Sequence, residues 1–520
     1  MFLGCNGVSG EDCYSSCRGT YPLPNPRWVS LNVAKENDRK DSRLSQMAVF
    51  FGQFIDHDIT LSPEHHATGG SCCDKDANDL TKDSECMEIE LPKDDPFYSK
   101  WDQTCLHLTR SVPHCSKGLG IDREQKNVIT SFLDASNVYG SDDQRAERLR
   151  EKFSVKKKIG RLSVHNEKPG YELLPEENHQ GCPVPIAGDA RAMENPSLAS
   201  LHTLFHREHN RIVKELSKHR DWKKYGKKNC KNGRCDNWMY QNARRILIAE
   251  WQNIIYAEWL PLIVGAEFIK KFDLKVDVKP TYKSTSDPSI IASFSTAAFR
   301  FGHTMVNGEM MKKDTKTGNT LRKLSLSDTM FSVNEYKKDG VEQLLAGLDE
   351  EKAQSRDQFV SSELTTMLFK NANPDNKAKF GEDLVARNIA RGRDHGIPSF
   401  ADFYSKYGPE TDRNRRMNCW SEKPKIFSQS SWEKLKEIYV HPNDIDLFIG
   451  GLLENTDGGG VLGYMFSWIV SEQFRRLKEG DRFFFTHPGK YIKIKQKIYS
   501  FCNISNQSLT LLQHFYSCIS

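Results

Sequence analysis

The stretch Met47 to Asp58, MAVFFGQFIDHD, constrains this chain more than any other. Its apolar positions Val49, Phe50, Phe54 and Ile55 follow helical rather than alternating spacing. Gln53, Asp56 and His57 therefore share one face of a helix. A histidine with a glutamine and two carboxylates on an otherwise greasy helix puts proton-handling groups where a core would normally be. Such a cluster is either gathered around a ligand or satisfied by internal pairing, and a core histidine held by Asp56 or Asp58 is the plainer alternative.

The remainder of the chain reads as one large catalytic unit. Across 520 residues there is no Pro/Gly/Ser-rich linker, internal repeat or abrupt shift in composition to divide it. With 38% hydrophobic and 28% charged residues it can bury a sizeable core. The formal charge of +5 is small for this length, and the pairs Lys223-Lys224 and Lys227-Lys228 lack interleaved aromatics, so no nucleic-acid partner is expected. Ile254 to Ile269 is apolar but carries Glu258, Pro261 and Glu267. It is too short and broken for a transmembrane helix and reads as a buried helix with its exit.

Fourteen cysteines, dense between Cys5 and Cys115, point to disulfides and an oxidising compartment rather than zinc, since no pair of CxxC knuckles occurs. Met1-Phe2-Leu3-Gly4-Cys5 lacks the charged start and apolar run of a signal peptide, so the expectation is a secreted protein whose leader is not in this sequence. The sequons at Asn503 and Asn506 agree with secretion.

Taken in order, Cys5 to about Arg43 is turn-rich, and Ser62 to Cys115 reads as a looped connection held by its own bridges. Within it, Asp74, Asp76, Asn78 and Glu85 imitate an EF-hand loop poorly, because Asp79 stands where glycine is needed. Thr130 to Ser136, TSFLDAS, gathers hydroxyl, carboxylate and backbone oxygens that suit calcium or, equally, a helix cap. Arg191 and Glu194, three apart, look like an ordinary surface ion pair ahead of a helix capped by Asn195 or Ser197. His202, His206 and His209 on that helix lack the HExxH arrangement and read as structural. His303 stands among Phe294, Phe299 and Phe301, and Asn388 precedes the polar cluster Arg391 to Gly396, typical of buried ion pairs.

FGQFIDHD, TSFLDASNVYGS, AGDARAMENP, HTLFHREHNRI, FRFGHT, RNIARGRDHGIP and QFRRLKEGDRF, in this order, closely resemble the animal haem peroxidase superfamily, which includes myeloperoxidase, thyroid peroxidase and peroxinectins. The resemblance runs from about Pro24 to Cys502. It implies a mainly α fold: one large helical domain (24–502) around a central haem with few short strands, between an amino-terminal arm (1–23) and a tail (503–520). It also implies an enzyme that uses hydrogen peroxide to oxidise halide, thiocyanate or phenolic donors through a ferryl porphyrin-radical intermediate.

By the same resemblance His57 looks like the distal base, Arg191 its cationic partner and Gln53 the distal glutamine. His303 looks like the proximal iron ligand, and Asn388 like the acceptor for its other ring nitrogen. Asp56 and Glu194 match carboxylates esterified to haem methyl groups, so covalently held haem b is expected. Arg300 and Arg391 match arginines near the propionates. Asp58, Thr130, Phe132 (through its carbonyl), Asp134 and Ser136 match a calcium shell. Asn195 stands where myeloperoxidase has a methionine linked to haem, which shifts the expected donor from chloride toward bromide, iodide, thiocyanate or phenols.

Trp468 occupies a family cysteine position, leaving Cys419 without a mate; Cys182 lacks a near partner, and Cys230 with Cys235 can form a local bridge. The alternatives are a peroxidase-fold adhesion protein with matrix partners and little catalysis, though no Arg-Gly-Asp tripeptide is present, or a fatty-acid oxygenase. The latter needs a tyrosine three residues before the proximal histidine, where this chain has Arg300.

Overall fold

The MAVFFGQFIDHD stretch forms the helix Gln46–Ile59, and its apolar residues explain where it lies. Phe50, Phe51, Phe54 and Ile55 are all buried in the main hydrophobic core, so the helix runs through the interior rather than along a surface. In this computed structural model, residues 22–487 are described apart from 67–70, 74–84, 115–122, 152–158, 167–170, 180–181, 221, 223–233, 277–281, 338–339, 372–378, 413–416, 418 and 457–458. Helices dominate the described residues. The strands form four two-stranded antiparallel sheets, among them 40–45 with 352–354 and 309–313 with 320–325.

The amino-terminal half of the central helix is tied to the elements that matter for the site. At its start the Gln46 side chain donates to the Met305 carbonyl (2.9 Å) and accepts from the Asn307 amide (3.3 Å), fixing the segment just beyond His303. In its middle, the Trp259 indole donates to the Ala48 carbonyl (2.9 Å). A Cβ at Gly52 would stand 3.1 Å from that ring, so glycine permits the close approach.

Pro196–Lys218 is a 23-residue helix, and Asn195 rather than Ser197 caps it by accepting from the Leu198 amide. The run read as one buried helix and its exit is more continuous than expected. Helix Arg234–Ile254 passes through a π-helical turn (Ile255–Trp259) into Leu260–Lys271, and the break falls at Gly265 (φ 81°), not at Pro261. Pro261 follows directly on the π-helical turn, where the α-helical hydrogen-bond ladder is already interrupted.

Helix Leu384–Asp394, which carries Asn388 and Arg391, is anchored by buried charge. Asp383 caps it by accepting from the Val385 and Ala386 amides, and the same carboxylate takes Arg27 (2.7 Å). Arg27 also pairs with Asp95 (2.7 Å), and all three side chains are sealed from solvent. Removing one member of such a group strands the others without compensation. Arg27→Met should destabilise the protein by about 3–5 kcal/mol. An unshifted denaturation midpoint would show the network to be energetically neutral.

Candidate active site

A cavity of about 350 Å³ opens between the central helix and the 3₁₀ turn Ala298–Met305. Gln53, Asp56 and His57 form one wall, Arg300 and His303 the opposite wall, and Arg191, Glu194 and Asn195 a third. Residues separated by almost 250 positions therefore face a common space. Asn388 stands behind His303, and Arg391 closes one end.

Asp189 organises the His57 wall. It caps the short turn Ala190–Met193, accepts from Arg191 Nε and Nη2 (2.9 Å each), and lies 3.6 Å from His57 Nδ1. Arg191 Nη2 also donates to the Thr60 carbonyl (3.0 Å), while Nη1 is 3.6 Å from Asp56. Arg191 is thus paired with Asp189 and Asp56 at the cavity, not displayed as the surface pair its spacing with Glu194 suggested. Burial, aided by the Arg191 charge, holds the His57 imidazole well below its ordinary pKa, so it is neutral. Burial alone would raise the Asp189 carboxyl, but the Arg191 charge and the hydrogen bonds from Arg191 outweigh it and keep it ionised. Burial lifts Asp56 to about 6 and Glu194 to about 7, tempered by Arg191. Asn195 donates to the Gln53 amide oxygen (3.3 Å), which joins the first and third walls.

On the opposite wall, His303 Nδ1 lies 2.8 Å from Asn388 Nδ2, and Asn388 Oδ1 accepts from Arg300 Nη1 (2.6 Å). The two ends of the Asn388 amide thus meet the His303 ring nitrogen and the Arg300 guanidinium. Arg300 otherwise donates to the Ser295 carbonyl, and no carboxylate among the described residues lies within ion-pair distance of it. Burial, with Arg391 nearby, lowers its pKa to about 10. Burial, with the Arg300 charge, also lowers His303 to about 3, leaving a neutral imidazole.

Among the residues lining the cavity, Glu64, Arg387 and Phe369 were not foreseen. Glu64 pairs with Arg387 (2.8 Å) and Arg391 (2.6 Å). Arg391 further donates to the Thr109 carbonyl, Ser111 Oγ and Asp394. Beyond Glu194, Phe331 and Phe369 both adopt left-handed backbone (φ 58° and 57°) with ring centroids 5.2 Å apart. Bulky residues hold that conformation only where surroundings impose it. Here the Phe331 amide bonds the Glu194 carbonyl and Phe369 lines the cavity beside Met330.

Residues 8–505 match the family model described as animal haem peroxidase. The chain belongs to the animal haem peroxidase family. The chorion peroxidase of Drosophila melanogaster is 32% identical over 491 residues, covering 90% of this chain and 56% of the relative, so the chain spans little more than half of that protein. Among solved structures, Peroxidase A from Dictyostelium discoideum shares the fold (TM-score 0.73, 24% identity, 94% of this chain and 90% of that one). So does a fatty acid alpha-dioxygenase from Arabidopsis thaliana (TM-score 0.68, 17% identity, 97% and 76%).

The family implies haem, and the cavity fits it. Two neutral imidazoles line the same space, one from the central helix and one from the turn Ala298–Met305, and Arg300 is a half-buried cation that lacks an anionic partner among the described residues. Position 300 is thereby engaged as a cation toward Asn388, and the tyrosine required by the oxygenase alternative is absent.

The oxygen-rich segment lies apart from the cavity. Asp58 is wholly buried; it accepts from the Ala135 and Ser136 amides and from Trp251 Nε1 (2.8 Å), while Ser136 Oγ donates to its backbone carbonyl (2.8 Å). Thr130 donates to Asp134 (2.9 Å), and the Phe132 carbonyl accepts from the Asp134 amide. Burial and the charge of Asp134 raise Asp58 to about 8. Gly188 is essential to the junction with Asp189, because a Cβ would come 2.2 Å from the Ser136 carbonyl. Among the described residues no group of three or more His, Cys, Asp or Glu side chains converges as for a metal.

The connection from Ser62 to Cys115 is pinned by Cys72–Cys86 and Cys73–Cys105, as its cysteine density suggested. Cys182 is exposed and unpaired, and Cys419 is a half-buried free thiol. Trp468, in the place of its expected mate, stacks on Tyr407 with centroids 4.2 Å apart. Cys230 and most of the EF-hand-like stretch fall outside the described residues. His206 and His209 are structural: they bond the Ser163 carbonyl, and Tyr139 with the Gly160 carbonyl, respectively.

Proposed function

We propose that the protein is a secreted haem peroxidase that uses hydrogen peroxide to oxidise bromide, iodide, thiocyanate or phenolic donors. The observation that carries this reading is the single cavity faced by neutral His57, cationic Arg191 and Gln53 on one side and by neutral His303 on the other. Haem supplies the redox chemistry when bound. His303 would hold its iron, Arg300 and Arg391 would meet its propionates, and Asp56 and Glu194 would attach it covalently.

His57 Nε2 takes a proton from peroxide and returns it to the departing oxygen. Arg191 Nη1, left unclaimed by Asp189, faces the negative charge that develops as the oxygen–oxygen bond breaks. Gln53, held by Asn195, orients a small polar molecule beside His57. Because Asn195 has no sulfur to link to haem, donors easier to oxidise than chloride are favoured. The paired rings of Phe331 and Phe369 offer a phenol an apolar surface next to Glu194.

Asp58, Asp134, Ser136, Thr130 and the Phe132 carbonyl would bind calcium, which would relieve the facing carboxylates of Asp58 and Asp134. The two disulfides support secretion. The decisive assay mixes haem-loaded protein with hydrogen peroxide and a panel of bromide, iodide, thiocyanate and guaiacol. Peroxide-dependent oxidation of at least one is expected. Oxygen uptake with a polyunsaturated fatty acid, and no peroxide-dependent oxidation, would transfer the protein to the oxygenases; neither activity would favour the adhesion scaffold.

A further inference from the structure

We propose that Asp189 is the positioning residue of the His57 wall: one carboxylate grips the Arg191 guanidinium and faces His57 Nδ1, fixing both the direction of the cation and the tautomer of the base. The proposal deepens the peroxidase reading and rests on it for its catalytic consequence.

The geometry of Arg191 is the first support. Asp189 takes the Nε and Nη2 edge of the guanidinium (2.9 Å each), and Oδ1 also accepts from the Arg191 amide (2.8 Å). A bidentate pair of this kind sets the plane of the guanidinium as well as its place. The Thr60 carbonyl takes Nη2 from another side. The outward edge, Nη1, is what remains to face the cavity and Asp56.

His57 supplies the second, independent support. Its ring is 3% exposed, and Nδ1 is buried without a hydrogen bond. The ion-pair acceptor facing that nitrogen is Asp189 Oδ1, at 3.6 Å. The separation exceeds a direct hydrogen bond and closes with a small ring rotation or one bridging water. A neutral imidazole carries one ring proton, and the nitrogen that faces a carboxylate is the one that keeps it. Nε2, on the cavity side 3.9 Å from Glu194, is then the bare acceptor that a base requires. The same carboxylate is held ionised by its partners and 4% exposed, so it has no competing contact with solvent.

The test uses the holoprotein labelled with ¹⁵N-histidine, in its diamagnetic ferrous carbon monoxide form. Ring nitrogen shifts should show the His57 proton on Nδ1 in the parent and moved wholly or partly to Nε2 in Asp189→Asn. The second-order reaction of the loaded Asp189→Asn protein with hydrogen peroxide should fall about 100-fold, with KM for the reducing donor unchanged. A role confined to capping the turn Ala190–Met193 would lower thermal stability and leave the tautomer in place. The proposal is overturned by an Nε2 proton in the parent, by an unchanged tautomer in the variant, or by a peroxide reaction within threefold of the parent. Where the variant does not accumulate, the tautomer of the parent alone decides. A parent that does not react with peroxide defeats the peroxidase reading, and the tautomer remains readable.

Discussion

In the haem-loaded protein, His57→Ala should react with hydrogen peroxide about 10²–10⁴ times more slowly than the parent, the usual contribution of a positioned proton-transfer group. The expectation follows from placement as much as from residue type. The imidazole is nearly sealed, lies on the same cavity as His303, and is kept neutral by burial, so it is poised to accept a proton at ordinary pH. Alanine leaves the core residues Phe54 and Ile55 in place, so the fold is expected to survive. Stopped-flow spectroscopy reads the first spectral change after mixing as a function of peroxide concentration. A slope within threefold of the parent would remove His57 from the proton-transfer role. Thermal unfolding of the same sample separates that result from loss of structure.

What the sequence disclosed depended on distance along the chain. The helix Gln46–Ile59 was legible because its apolar spacing and its polar face both lie within fourteen residues. The Asn195 cap was readable for the same reason, although spacing left Ser197 as a competitor and only the hydrogen bond to Leu198 decides between them. Asp189 was overlooked even though it lies inside the motif AGDARAMENP. Attention went to Arg191 and Glu194, whereas the available signal was a carboxylate two residues before an arginine, in the place of a turn cap.

Glu64 with Arg387 could not have been found by periodicity, because the pair joins positions 323 residues apart. The contact of Asn388 with Arg300 likewise spans 88 residues. The left-handed backbone of Phe331 and Phe369 carries no sequence mark at all, since glycine or asparagine would be the residues expected there. Motifs in order revealed which residues belong to one site; tertiary contacts alone revealed how each is held.

The proposed covalent attachment of haem gives the other large effect. After several turnovers with peroxide, the parent protein should keep its Soret absorbance through extraction with acidified organic solvent, and Asp56→Asn/Glu194→Gln should release it completely. Asp56 and Glu194 face the cavity from different elements, the central helix and the turn after Arg191, so they can reach separate positions on one planar group. Both are pushed up by burial, to about 6 and about 7, so each has an appreciable protonated fraction near neutral pH and is not locked as a solvated anion. Amide replacements keep size and hydrogen bonding but lack the oxygen that must form the ester. Each single variant should retain haem through its remaining carboxylate, with a shifted Soret maximum that reports the lost link. Release of haem from the parent itself would remove the ester assignment while leaving the acid–base roles of His57 and Arg191 untouched, because those groups act on peroxide and not on the haem periphery.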